Sequence, residues 1–120
     1  MFDRLIALIG KDRFERLASA KVLIIGLGGV GGYAFEALVR SGIKNITIVD
    51  GDVVEESNLN RQIISNNNNI GISKCEAAAK RALEINKDIN ISIIYKFVTA
   101  DNFRDLLVNK YDYVIDACDD

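Results

Sequence analysis

Apolar and polar positions change period several times along the chain. From Phe2 to Ser19, apolar residues recur every three or four positions (Phe2, Leu5, Ile6 and Ile9, then Phe14 and Leu17), the spacing of a helix with one buried face. Gly10 divides this segment into two short helices. The period then collapses into Val22-Leu-Ile-Ile25, an unbroken and mostly β-branched run suited to a strand covered on both faces of a parallel sheet. Helical spacing returns from Tyr33 to Arg40 and stops at Ser41-Gly42, and Ile46 to Asp50 supplies a second strand. Residues 51–62 are polar and aperiodic, and the four consecutive asparagines at 66–69 predict a mobile, solvated loop. From Ile72 to Asn86, Cys75, Ala78, Ala79, Ala82 and Leu83 form one apolar stripe, a helix pattern. Ile89 to Tyr95 alternates as a third strand, Asp101 to Leu107 reads as a short capped helix, and Tyr113 to Asp116 as a fourth strand.

Strands alternating with helices predict an α/β fold: an open parallel sheet with helices on both faces, preceded by the N-terminal helical segment. Right-handed crossovers and a first strand that is apolar throughout place that strand centrally, giving the order 3-2-1-4 of a Rossmann-like sheet. Between the first strand and its helix, Gly26, Gly28 and Gly31 fit G-x-G-x-x-G, with Gly29 inside the turn. Such glycines allow a tight turn, a close approach of backbone N–H groups to a phosphate, and packing of helix on strand. The helix start adds unpaired N–H groups and a partial positive charge. Asp50 closes the second strand, where folds of this kind put a carboxylate that accepts hydrogen bonds from ribose hydroxyls.

Composition narrows the functional classes. The 120 residues form one domain or part of one, with 27% charged residues, a net charge of −2 and no histidine, which speaks against a general nucleic-acid-binding surface. Cys75 and Cys118 form no C-x-x-C pair, which argues against a zinc site or redox dithiol within these residues. No apolar run approaches the ~20 residues of a membrane span and no signal-peptide pattern is present, so a cytoplasmic location is expected. The chain stops four residues after the fourth strand, and the expectation is the front part of a larger protein.

A glycine turn with a ribose acid ordinarily suits NAD, but two further features favour ATP. Arg61 and Lys74 lie in or beside the loop after the second strand, and Asp116, Asp119 and Asp120 lie at and just beyond the end of the fourth. Extra cations suit a triphosphate attacked at phosphorus, and clustered carboxylates beside phosphates suit Mg²⁺. Lys74 falls in the first turn of its helix, where a cation opposes the helix dipole unless an anion lies nearby. Cys75 and Cys118 read as packing residues. A nicotinamide-binding domain and a non-catalytic interaction module remain as alternatives.

The motifs G-L-G-G-V-G-G, I-V-D-G-D, S-N-L-N-R-Q, G-I-S-K and V-I-D-A-C-D, in that order, resemble the ubiquitin-activating-enzyme superfamily, whose bacterial members include ThiF, MoeB and HesA. The resemblance implies ATP-dependent adenylation of a carboxylate at Mg²⁺. It implies that residues 1–120 are the N-terminal, ATP-binding part of an adenylating domain. The family's second half, with its crossover loop, catalytic cysteine and any zinc-binding cysteine pairs, is absent from these residues. Carried over by motif, Asp50 holds the ribose, with Asp52 beside it in the same motif. Asn58, Arg61 and Lys74 contact phosphates, with Gln62 adjacent, and Asp119 binds Mg²⁺. Phe2-Asp3-Arg4-Leu5 resembles the family's N-terminal segment, whose arginine reaches the partner subunit's site, which implies a homodimer with Arg4 acting in trans. Within the superfamily, E-A-L-V-R-S-G-I, N-x-N-R-Q-I and F-V-T-A-D-N are most similar to the tRNA threonylcarbamoyladenosine dehydratase branch, which implies tRNA as substrate. A MoeB/ThiF-type activator of a ubiquitin-like sulfur carrier is the alternative.

Overall fold

The computed structural model of the protein describes residues 2–118. Helices α1 (Asp3–Ile9) and α2 (Lys11–Ser19) lead into β1 (Lys21–Ile25), α3 (Gly29–Arg40) and β2 (Asn45–Val49). A 3-10 turn (Glu56–Asn58), α4 (Lys74–Ile85), β3 (Asn90–Ile94), α5 (Phe103–Leu106) and β4 (Tyr113–Asp116) complete the chain. The four strands form one parallel sheet in the order β3-β2-β1-β4, as expected, with Leu23 level with Thr47 of β2 and Val114 of β4.

This order decides where the helices lie. The chain steps from β1 to β2 to β3 in one direction, so right-handed crossovers put α3 and α4 on the same face. It then returns past β1 to reach β4, and the same handedness sends that connection, with α5, across the other face. Alternate residues of β1 report both layers. Val22 and Ile24 pack with Phe35 and Val39 of α3 and with Ala78 and Ala82 of α4. Leu23 and Ile25 pack with Val49, Leu106 and Phe103 on the opposite side. All four are at most 2% exposed, which accounts for the unbroken apolar run.

The N-terminal helices close the amino end of the sheet. The Phe14 ring lies under Gly42, and Phe2 stacks against Phe14 with ring centroids 5.5 Å apart. Lys44 N–H donates to the Ala18 carbonyl at 3.2 Å, joining α2 to the entry of β2.

Three local expectations change. α3 starts four residues before Tyr33, because the glycine turn itself winds into the first helical turn. The asparagine segment is tied by its own amides: Asn66 N–H donates to Asn69 Oδ1, Asn68 N–H to Asn66 Oδ1, and Asn69 Nδ2 to the Ile64 carbonyl. α5 has no side-chain cap. Asn102 Oδ1 instead accepts from Thr99 N–H at 2.8 Å, closing the turn before the helix.

Candidate functional site

The strand order reverses between β1 and β4, and a cleft of about 460 Å³ opens there, outside the carboxyl ends of the strands. Gly26, Gly28, Asp50, Asp52, Asn58, Arg61, Gln62 and Lys74 all line it. A chain segment of almost fifty residues is thereby gathered around one space.

The glycines serve two different ends. Gly26 has φ +92°, and an added Cβ would come within 2.9 Å of the Ala117 carbonyl oxygen. At Gly31 a Cβ would sit 1.9 Å from the Gly26 oxygen, so no other residue fits. These two are required by the backbone itself. Gly28 has φ −67°, and its added Cβ would meet nothing closer than the Gln62 amide at 3.7 Å; for Gly29 the nearest atom is 3.9 Å away. Side chains at both would be tolerated by the protein, but one at Gly28 would fill the floor of the cleft. Gly28 is also the N-cap of a twelve-residue helix and makes no side-chain cap, so the first N–H groups of α3 are available to an anion.

Asp50 stands just past β2 and is already engaged. Its Oδ2 accepts from Leu27 N–H at 2.8 Å and its Oδ1 from Asp52 N–H at 2.7 Å. Gly26 N–H meanwhile donates to the Val49 carbonyl at 2.8 Å. The carboxylate thus anchors the glycine turn to the end of β2, and each oxygen keeps a second lone pair for a ligand hydroxyl.

Lys74 answers the electrostatic question raised by its position. Its side chain is 7% exposed, and Nζ lies 3.6 Å from Asp52 Oδ2. Asp52 also accepts the Lys74 N–H through its backbone carbonyl at 3.0 Å, while Ser73 Oγ caps Glu76 N–H. A buried ammonium is therefore held at the cleft wall by a carboxylate that is itself 56% exposed. Arg61 is exposed and lines the cleft, and its Nη1 donates to the Ser57 carbonyl at 2.9 Å.

Asn58 is buried and shapes the loop: its Oδ1 accepts from Glu55 N–H at 2.8 Å, and its carbonyl accepts from Gln62 N–H at 2.9 Å. Gln62, 6% exposed, has an Oε1 with no partner among the described residues. A buried amide oxygen without a partner at the cleft has hydrogen-bonding capacity to spare.

Gly29 and Gly31 do not line the cleft, although both belong to the turn. Arg4 is on α1, which follows Phe2 at the amino end of the sheet, so it is not brought to this cleft; its side chain lies outside the described residues. Asp119 also lies outside them. Asp116 ends β4 and accepts from Cys118 N–H at 3.1 Å, and it does not line the cleft. Among the described residues no group of three Asp, Glu, Cys or His could hold a metal ion, and no helix is long and apolar enough to cross a membrane.

Cys75 is a packing residue, as expected. It is fully buried, and burial, reinforced by the Asp50 charge, pushes its thiol up to about 12. Cys118 is not one: it is exposed on the cleft wall, with Sγ 3.9 Å from the Ile25 carbonyl, because the chain leaves the sheet two residues earlier. Phe97 and Val98 also line the cleft, and neither was a candidate site residue. The Phe97 ring covers Gly51, where an added Cβ would lie 2.6 Å from it, yet remains 63% exposed. A glycine after one strand and an aromatic after the next are the only sequence signs of that contact.

The ThiF family model matches residues 2–120. The tRNA threonylcarbamoyladenosine dehydratase of Escherichia coli is 41% identical over 112 residues, covering 93% of this chain and 42% of its own. The crystal structure of that enzyme from E. coli, TcdA, in complex with ATP superposes with a TM-score of 0.96 at 39% identity, over 99% of this chain and 49% of that one. A probable molybdopterin-synthase adenylyltransferase of Porphyra purpurea is 41% identical over 105 residues, 88% of this chain and 27% of its own. The chain thus spans less than half the length of these curated relatives.

Proposed function

Because the chain belongs to the ThiF family, we propose that its cleft binds ATP and activates a carboxylate by adenylation, the carboxylate being that of threonylcarbamoyladenosine in tRNA. The observation that carries this reading is the grouping of a buried ammonium, an exposed guanidinium and an uncapped helix start around one glycine-floored space. The E. coli relative's structure with ATP supports the ligand, and that relative, a tRNA threonylcarbamoyladenosine dehydratase, supports the substrate.

In this reading the α3 start and the open floor at Gly28 receive the phosphates, and Asp50 accepts from the ribose hydroxyls. Phe97 and Val98 supply an apolar wall for the base. A carboxylate oxygen attacks the α-phosphorus, the bond to the bridging oxygen breaks, and pyrophosphate leaves. Charge grows on the phosphoryl oxygens as this happens, and Arg61 and Lys74 stabilise it. The acyl-adenylate then closes on the neighbouring carbamoyl group and expels AMP. One water is lost overall, its oxygen leaving on AMP, which is how an adenylating site performs a dehydration. Mg²⁺ would neutralise the phosphates, with Asp119 as its protein ligand.

The first 120 residues are then the ATP-binding part of the adenylating unit, and groups that grip the carboxylate lie elsewhere in the protein. A homodimer belongs to the same proposal. Arg4 belongs to α1, at the end of the sheet opposite its own cleft, which supports a role across an interface. The Porphyra relative supports a second reading, adenylation of a carrier protein's C-terminus. Incubating the protein with Mg²⁺, ATP and tRNA bearing threonylcarbamoyladenosine separates the two. The first reading expects a nucleoside lighter by one water, with one AMP formed per conversion. Unchanged tRNA, with pyrophosphate released only in the presence of a carrier protein and AMP retained on that carrier, would transfer the assignment to the second.

A further inference from the structure

Glu36 of α3 is 8% exposed, an unusual burial for a carboxylate on a helix. Arg81 of α4 meets it as a two-pronged fork, Nε donating to Oε1 and Nη2 to Oε2, the latter at 2.8 Å. Arg40 contributes a longer contact from within α3, with Nε 3.6 Å from Oε2. None of these residues lines the cleft, yet their placement relates to it. Glu36 is seven residues past Gly29, the first residue of α3; Arg81 is seven residues past Lys74, the first of α4. Both helices start at the carboxyl edge of the sheet, and both forked residues lie about 10 Å below it at 1.5 Å per residue.

The start of α4 is tied to the loop after β2, where Lys74 N–H donates to the Asp52 carbonyl, and the fork is a side-chain ion pair that joins α4 to α3 directly. The α4 face turned to the core carries the short side chains of Cys75, Ala78 and Ala82, with Ile85 at its far end, in one cluster with Phe35 and Val39. A planar guanidinium–carboxylate pair with two parallel hydrogen bonds fixes both distance and angle. We propose that Glu36 and Arg81 are positioning residues for the phosphate site. By clamping the two helices at one level, they set the spacing between the glycine turn at the start of α3 and the ammonium of Lys74 at the start of α4. This rests on the adenylation reading for its turnover readout but not for its binding readout.

A double-mutant cycle on the whole protein tests it, because two changes that act through one group fail to add. Arg81→Lys keeps the charge and removes the fork. It should lower kcat about 10-fold with intact Lys74 and less than twofold in a Lys74→Ala background. The dissociation constant for ATP, read by titration, should show the same dependence on background, and this arm needs no turnover. Arg40→Met, which leaves the fork in place, should change neither quantity. Where Arg81→Lys does not fold, Glu36→Gln enters the same cycle. Equal losses in both Lys74 backgrounds, or no loss in either, would overturn the proposal and reduce the fork to a packing contact. Absence of turnover in the unmodified protein, with the cycle still non-additive in ATP affinity, would overturn the adenylation reading and leave the positioning role standing.

Discussion

Gly28 and Gly31 are three positions apart in one motif and answer to different demands. Gly31→Ala forces a Cβ to within 1.9 Å of a backbone oxygen, and should unfold or strongly destabilise the protein. Gly28→Ala meets nothing closer than 3.7 Å and should leave the thermal transition nearly unmoved while weakening ATP binding at least 10-fold. Paired thermal melts and ATP titrations check this; equal behaviour of the two variants would contradict it. The side chains divide in a similar way. In the proposed reaction Arg61 and Lys74 would face charge that grows during attack, so Arg61→Ala and Lys74→Ala should lower kcat by about 10²- to 10³-fold. Asp50 would meet only uncharged hydroxyls, and Asp50→Ala should act on ATP affinity, by about 1–3 kcal/mol. Because Asp50 also holds Leu27 N–H and Asp52 N–H, that variant should melt earlier as well. Steady-state kinetics showing that Arg61→Ala and Lys74→Ala change KM alone would remove the transition-state role. That these residues meet in one cleft was legible because each has a chemical signature at a fixed place in the motif. Asp50's second task and Phe97's place on the cleft wall were not, since both depend on what the next strand brings alongside.

The elements were read correctly in kind, and their boundaries shifted where local chemistry outweighed period. α3 begins among glycines that a propensity argument counts as breakers, and α4 begins at a lysine that the helix dipole disfavours. Both exceptions fall at the cleft. The Asp52 carboxylate that compensates Lys74 arrives from a loop with no period of its own, so the partner had to be seen rather than inferred. The α3–α4 fork was equally hidden, because Glu36 and Arg81 each look like surface residues of a charged helix. It carries a pH consequence. The Arg81 hydrogen bonds hold the Glu36 carboxyl below the ordinary glutamate range despite its burial. A lowered folded pKa means stability that is full above the ordinary glutamate value and is lost as pH falls through the folded one. Urea unfolding between about pH 5 and pH 3 should show a steeper loss for the unmodified protein than for Glu36→Gln. Parallel slopes would mean that the pair contributes no pH-dependent stability.

At the scale of the molecule, the sheet order follows from handedness and from the one strand buried on both faces, which is why it was foreseeable from strings of apolar residues alone. Assembly is another matter, since a partner leaves no periodic trace. The proposed homodimer predicts a two-protomer species by sedimentation at tens of micromolar, and a monomer there would remove the role assigned to Arg4. The central claim, that a carboxylate attacks the α-phosphorus of ATP in this cleft, is tested most directly by isotope transfer. With tRNA whose threonylcarbamoyl carboxylate carries ¹⁸O, adenylation followed by ring closure moves one labelled oxygen onto AMP. Mass spectrometry should find AMP heavier by one ¹⁸O in step with pyrophosphate release, whereas ADP as the product, or AMP without the label, would contradict the account.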